Sequence, residues 1–296
     1  MITQRFSILF LAPILLGIFT TPVLSENIDW SDSSMSSIDT DTIRIYNLNY
    51  APTPGKVYNI NFNFDEATLN FKPDLATLEP VDTQRYDTAN LSRGGQLYDS
   101  WWRTNGESEP SGTHASYPQD TGTQSGSTTW RCKECHGWDY KGKDGAYGNG
   151  SDHFTEIKGI FDAQQKPIGE IYSILKNKNL PLSEEDIWDL TRFLKEGLID
   201  MDKYIIFSGE LSKTATGTRN NGGPIYSGRC SECHGPDGSE ISSVSVGTDA
   251  NNNPWEVLHK ITFGNPGTSM PSMLDKGLSL EQLIDLLTYT QSLPQE

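Results

Sequence analysis

Two five-residue strings carry the most specific chemistry in the chain. Cys132-Lys133-Glu134-Cys135-His136 and Cys230-Ser231-Glu232-Cys233-His234 both spell C-x-x-C-H. Two thiols one helical turn apart can each add to a vinyl group of a haem. The histidine that follows then lies under the porphyrin plane and binds the iron. The two motifs use all four cysteines of the chain. A zinc site built from two C-x-x-C pairs usually separates them by about 15–20 residues. Here 94 residues lie between Cys135 and Cys230. A redox-active C-x-x-C requires neither His136 nor His234. The motifs therefore predict two haem c groups held by Cys132, Cys135, Cys230 and Cys233, with His136 and His234 as iron ligands.

The flanking segments repeat. Gly95-Gln96-Leu97-Tyr98 stands before the first motif and Gly223-Pro224-Ile225-Tyr226 before the second. After the second motif, Leu280–Leu293 reads as a helix, with Ser279 as N-cap and Gln282 completing a capping-box pattern. After the first, Ser183–Leu194 reads the same way, with Ser183 as cap. Leu190 and Phe193 align with Leu286 and Tyr289. Each half thus runs helix, haem motif, loops, helix. On these residues the chain resembles the class I cytochrome c family, over roughly residues 90–200 and 220–294. In that family an N-terminal helix with a glycine and an aromatic crosses a C-terminal helix with an aromatic. Gly95/Tyr98 with Phe193, and Gly223/Tyr226 with Tyr289, match that pattern. The resemblance implies a mainly α fold with two tandem cytochrome c-like helical haem domains.

The sixth iron ligand sets potential and reactivity. Gly264-Asn265-Pro266-Gly267-Thr268-Ser269-Met270-Pro271 resembles the family's methionine loop. Met270 is the expected ligand of the second haem, with Met273 as fallback. The first half departs from this pattern, because no methionine lies between His136 and Ser183. His153, in Gly150-Ser151-Asp152-His153-Phe154, is the preferred sixth ligand there. The alternatives are an open or water-bound iron, Met201, His114, Lys176 or Lys178. His259 reads as helix surface or as a support behind a haem. Methionine raises potential relative to histidine or water, so electrons would enter at the first haem and rest on the second.

The remaining segments divide as follows. Residues 1–25 read as a signal peptide, with Arg5, the apolar run Phe6–Leu24 and small residues before Glu26. The alternative is an uncleaved membrane anchor. Both place the protein outside the cytoplasm, in a periplasmic setting. Residues 26–41 read as a linker. Residues 42–85 form a small N-terminal β unit, with Thr42–Asn47, Val57–Phe64 and Leu69–Phe71 as strands and Thr53-Pro54-Gly55 as a turn. Residues 86–203 are the first haem domain, interrupted at 103–129 by an insertion read as a surface Ω-loop pinned by its tryptophans. A linker at 204–219 precedes the second haem domain, 220–296.

A formal charge of −16 disfavours nucleic acid and anionic lipid as partners and favours basic docking surfaces. No triad, P-loop or nucleotide fingerprint is present. The preferred function is electron transfer between redox partner proteins, with the chain not itself an enzyme. The alternative is a haem enzyme working at the first haem, since dihaem thiosulfate dehydrogenases and peroxidases are family relatives of similar size.

Overall fold

The computed structural model describes residues 3–8, 57–65, 70–74, 80–81, 83–178, 180–207, 213–241 and 244–295. It divides into two compact units, Met1–Thr83 and Gln84–Glu296.

The first unit is a small antiparallel sheet centred on β2 (Val57–Asp65), an alternating run of β-branched and aromatic residues with asparagines. β1 (Thr3–Ile8) pairs with it from Thr3 opposite Asn63 to Ile8 opposite Tyr58. β3 (Asn70–Asp74) pairs through Phe64–Phe71, and β4 (Pro80–Val81) through Val57–Val81. The strand expected at Leu69–Phe71 thus starts one residue later and runs further. β1 falls inside the segment read as a signal peptide, so cleavage after Ser25 would leave β2 with β3 and β4. The strand expected at Thr42–Asn47, the linker at 26–41 and the Thr53–Gly55 turn lie outside the described residues.

The second unit is helical, with α1 (Thr83–Thr88), α2 (Leu91–Asn105), α3 (Cys132–His136), α4 (Ile168–Asn177) and α5 (Glu184–Arg192) in its first half. α6 (Arg219–Arg229), α7 (Ser231–His234), α8 (Val246–Asn252), α9 (Pro254–Phe263) and α10 (Leu280–Thr290) make its second half. The chain is mainly α. Residues 204–219, expected as a linker, contain β5 (Ile205–Phe207) and β6 (Lys213–Ala215), paired from Ile205–Ala215 to Phe207–Lys213.

One helix crossing occurs in each half, α2 over α5 and α6 over α10, and the two match residue for residue. Close approach needs glycine at the crossing point. A Cβ on Gly94 would lie 2.7 Å from Phe193 Cβ and nearer still to the Asp189 carbonyl oxygen. A Cβ on Gly222 would lie 2.8 Å from Tyr289 Cβ and nearer still to the Asp285 carbonyl oxygen. The crossing glycines are therefore one residue earlier than the Gly95 and Gly223 expected. Tyr98 packs on Phe193 with ring centroids 5.4 Å apart, and Tyr226 on Tyr289 at 5.3 Å. The start of each first helix is tied to the second by a carboxylate. Asn90 N–H donates to Asp189 Oδ1 at 2.6 Å, and Thr218 N–H to Asp285 Oδ1 at 2.5 Å. α5 and α10 both begin with capping boxes, Ser183/Asp186 and Ser279/Gln282.

The halves share one core, because α9 of the second packs across α2 of the first. A Cβ on Gly95 would collide with the Phe263 ring. His259 is fully buried in this joint rather than at a helix surface. Its ring lies 5.0 Å from Trp138, 5.7 Å from Tyr98 and 4.9 Å from Phe263. Its Nε2–H donates to Gly95 O at 2.9 Å, since a carbonyl only accepts; Nδ1 then accepts from the Tyr140 hydroxyl at 2.8 Å. Burial lowers its pKa to about 4, so the ring is neutral.

The 103–129 insertion folds on itself. Trp130 Nε1–H donates to Gly112 O at 3.1 Å, and the Trp130 ring meets His114 edge-on at 4.5 Å. Tyr117 is buried beneath Gly122.

Candidate haem sites

Each C-x-x-C-H string forms a single helical turn, α3 or α7, closed by a glycine at φ +77, Gly137 or Gly235. That left-handed backbone suits glycine and few other residues. The turn is pinned from above by the crossing tyrosine. Tyr98 O–H donates to Gly137 O at 2.6 Å, and Tyr226 O–H to Gly235 O at 2.9 Å. The crossing of two helices in each half thus fixes where its histidine stands. In the first half Arg131, just before α3, also donates Nε–H to Asp99 O at 2.8 Å and pairs with the Asp99 carboxylate. Asp99 stands where α2 kinks, at Ser100.

The four thiols are free of one another. Burial pushes Cys132 up to about 12 and Cys135 and Cys230 up to about 11. A redox dithiol needs the opposite, a depressed thiol pKa. Among the described residues no group of three or more His, Cys, Asp or Glu side chains converges on one point as a metal-ion site requires. Side chains that sit at i, i+3 and i+4 on one face yet do not converge suit attachment to different edges of one flat cofactor. Burial lowers both motif histidines. The nearby Lys178 ammonium acts in the same direction on His136, against the Lys158 carbonyl. Neutral imidazole is the iron-binding form. His136 Nδ1 lies 2.9 Å from Lys158 O, which leaves Nε2 for iron. His234 Nδ1 is buried without a protein partner. Two thiols and a histidine on one face of each turn, with Nε2 of His136 left open, fit the group.

The expected sixth ligands fare differently. Met270 is partly exposed on the loop between α9 and α10 and packs against the core. Its carbonyl accepts from Asn265 N–H at 3.2 Å. Met273 is buried in the core. In the first half the loop between α4 and α5, residues 178–183, is shorter than the loop between α9 and α10 and contains no methionine. His153 Nδ1 lies 2.7 Å from Glu134 Oε1, and its ring stacks on Tyr147 at 4.6 Å and 12°. Cys132, Cys135 and His136 share one face of α3, so Glu134 projects from the opposite face and takes His153 with it. Glu134 is fully buried and also pairs with Lys133 Nζ at 2.8 Å. Burial alone would raise the Glu134 carboxyl; the His153 hydrogen bond and the Lys133 ammonium more than offset it and hold the group at about 2. Met201 is fully buried beyond α5, and His114 sits on Trp130.

Sequence reasoning missed the Glu134–His153 pair and the buried setting of His259. Both join residues distant in sequence, and no local pattern announces them.

Residues 217–289 match the family model described as cytochrome c oxidase, cbb3-type, subunit III. The matched stretch runs from just before α6 into α10 and contains the second C-x-x-C-H motif and Met270. No curated protein matches the chain, and no solved structure does. The motif, the pinned helical turn and this match support a c-type cytochrome domain at residues 217–289, whose chemistry is haem c binding and haem-based electron transfer.

Proposed function

We propose that the protein is an exported dihaem cytochrome that passes electrons between redox partner proteins through two haem c groups of different potential. The reading rests on one observation above others. The glycine, tyrosine and carboxylate contacts that fix α7 in the matched half recur around α3 in the first half, at Gly94, Tyr98 and Asp189. The second haem takes His234 and, through the loop after α9, Met270. The first haem takes His136. For His153 we infer a place behind the motif, orienting α3 through Glu134, in preference to iron ligation.

The chain's own residues bind each haem through two thiols, orient each histidine, and exclude water on the side of the helix crossing. Bound haem supplies one-electron chemistry. A leader-like N-terminus supports a periplasmic location, and the acidic charge supports docking to basic partner surfaces. Among the described residues no helix is long and apolar enough to cross a membrane.

Intact mass and a haem-to-protein ratio on the exported protein test the reading. Two haems per chain are expected, and one after Cys132→Ser with Cys135→Ser. A single haem in the unaltered chain would overturn it.

A second reading keeps the first haem as an enzymatic centre. It is favoured by the loop between α4 and α5, residues 178–183, which contains no methionine. Under that reading the first iron binds cyanide or peroxide in its oxidised form; in a pure carrier neither ligand changes the spectrum.

A further inference from the structure

The loop that carries Met270 is seated on the other half of the molecule. Gln96, on α2, donates its Nε2–H to the carbonyl of Phe263, the last residue of α9 and the one before the loop begins, at 2.8 Å. Gly264 then turns at φ +90, where an added Cβ would lie 2.9 Å from Gln96 Nε2 and 2.9 Å from the Met270 carbonyl oxygen. The amide of Gln96 and the backbone of Met270 therefore both close on the space where a side chain at this glycine would stand. One turn earlier on α2, Ser92 Oγ lies 3.0 Å from Ser272 Oγ and donates to Asp275 Oδ1 at 2.7 Å. Ser272 is two residues beyond Met270, and its hydroxyl also ties the loop back to Thr262 O at 2.8 Å. In the last turn of α2, Arg103 packs against Gly267, where an added Cβ would lie 3.2 Å from Arg103 Cβ. Contacts along the whole length of one helix of the first half thus hold both ends and the middle of one loop of the second half.

We propose that α2 is the seat of the second haem's sixth-ligand loop, with Gln96 the positioning residue that holds Met270 in place and so sets that haem's potential. The proposal rests on the reading of Met270 as the ligand. A thioether is a weak, neutral donor whose bond to iron depends on the loop that presents it. Gln96 Nε2–H donates to Phe263 O where α9 ends and its last carbonyls lose their helical partners. Glutamate at this position keeps the size of the side chain but has no N–H to donate.

The experiment is a redox titration of the full-length exported dihaem protein, with spectra in the near infrared, where thioether-to-iron(III) charge transfer absorbs. Met270→Leu, Gln96→Glu and Ser92→Ala are compared with the unaltered chain. Met270→Leu abolishes the band and identifies the second haem's wave. Gln96→Glu weakens the band and shifts that haem at least tenfold toward oxidised at fixed potential, ~59 mV for one electron. The first haem's wave stays in place. Gln96→Asn, whose shorter side chain still carries an N–H donor, recovers part of the shift. If Met270→Leu leaves the band intact, the ligand reading fails and the proposal falls with it. If Met270→Leu abolishes the band while Gln96→Glu leaves band and potential unchanged, the ligand stands and the seat is overturned. Should Gln96→Glu not accumulate as holoprotein, Ser92→Ala decides, with the same shift expected and an unmoved wave overturning the proposal.

Discussion

The two halves of the helical unit share a frame and differ in what the frame presents. In both, a glycine lets two helices cross, a carboxylate on the second helix holds the first amide of the first, and a tyrosine on the first reaches the glycine after the motif. These contacts are made inside each half, and they recur almost atom for atom. The loops between the helices do not recur. The second half has a glycine-rich loop with Met270, held down by α2 of the other half. The first half has a short connection there without a methionine, a folded insertion ahead of its motif, and a Lys133–Glu134 pair, buried and joined by the half-buried His153, behind it. Packing that aims a histidine is retained, and the parts that would tune an iron have diverged.

The crossings offer the sharpest way to break this comparison. Gly94→Ala and Gly222→Ala each drive a methyl into a carbonyl oxygen and an aromatic Cβ, and each should cost about 3 kcal/mol, the upper range for overpacking. Denaturant titrations of the two variants should give similar losses. A large loss in one and none in the other would show that the crossings are not equivalent.

The joint between the halves should respond to acid through His259. Its folded pKa of about 4 lies below the ordinary 6.5, so the unfolded chain binds its proton first. Its contribution is fully present above pH 6.5 and is lost as pH falls toward 4, by up to about 3 kcal/mol. Stability measured across that window should fall in the unaltered protein and fall less in His259→Gln. Equal slopes would mean that the ring is not buried neutral.

The carboxylate ties should differ in degree. Asp189→Asn removes the charge that Arg93 meets at 2.6 Å and leaves one acceptor oxygen for Arg93 and the Asn90 amide together, and should cost about 2 kcal/mol. Asp285 accepts from the Thr218 amide and forms no ion pair among the described residues, so Asp285→Asn should cost about 1 kcal/mol. The reverse order in thermal melts would contradict this account of the Arg93 pair. Smallest of all, Trp130→Phe removes one hydrogen bond to Gly112 from the insertion and should cost about 1 kcal/mol or less. Faster proteolysis confined to residues 106–125 would be its readout.

Much of the frame was legible in the sequence. The motifs, the capping serines Ser183 and Ser279, and the alignment of Leu190 and Phe193 with Leu286 and Tyr289 are local patterns with periods a helix imposes. Choosing Gly95 over Gly94 as the crossing residue was an error of one position. Adjacent glycines look alike in sequence, and only the placement of Phe193 against Gly94 and of Phe263 against Gly95 separates them. The ribbon at 205–215 was hidden by its brevity, since three-residue strands carry no period. Histidine's affinity for iron makes His153 a candidate ligand from sequence, while its pairing with Glu134 depends on a loop geometry the sequence does not encode locally. His259 and Gln96 matter through contacts with residues more than 100 positions away, so a reading of each half by itself could not find them. Apolar periodicity marks the buried face of α9 without saying which half covers it.

The most direct test of one frame serving two different haem sites is a potentiometric titration of the holoprotein, carried out with and without Met270→Leu. Two one-electron waves are expected, with only the upper one falling in the variant. A single haem per chain, or a variant whose two waves both stay where they were, would contradict it.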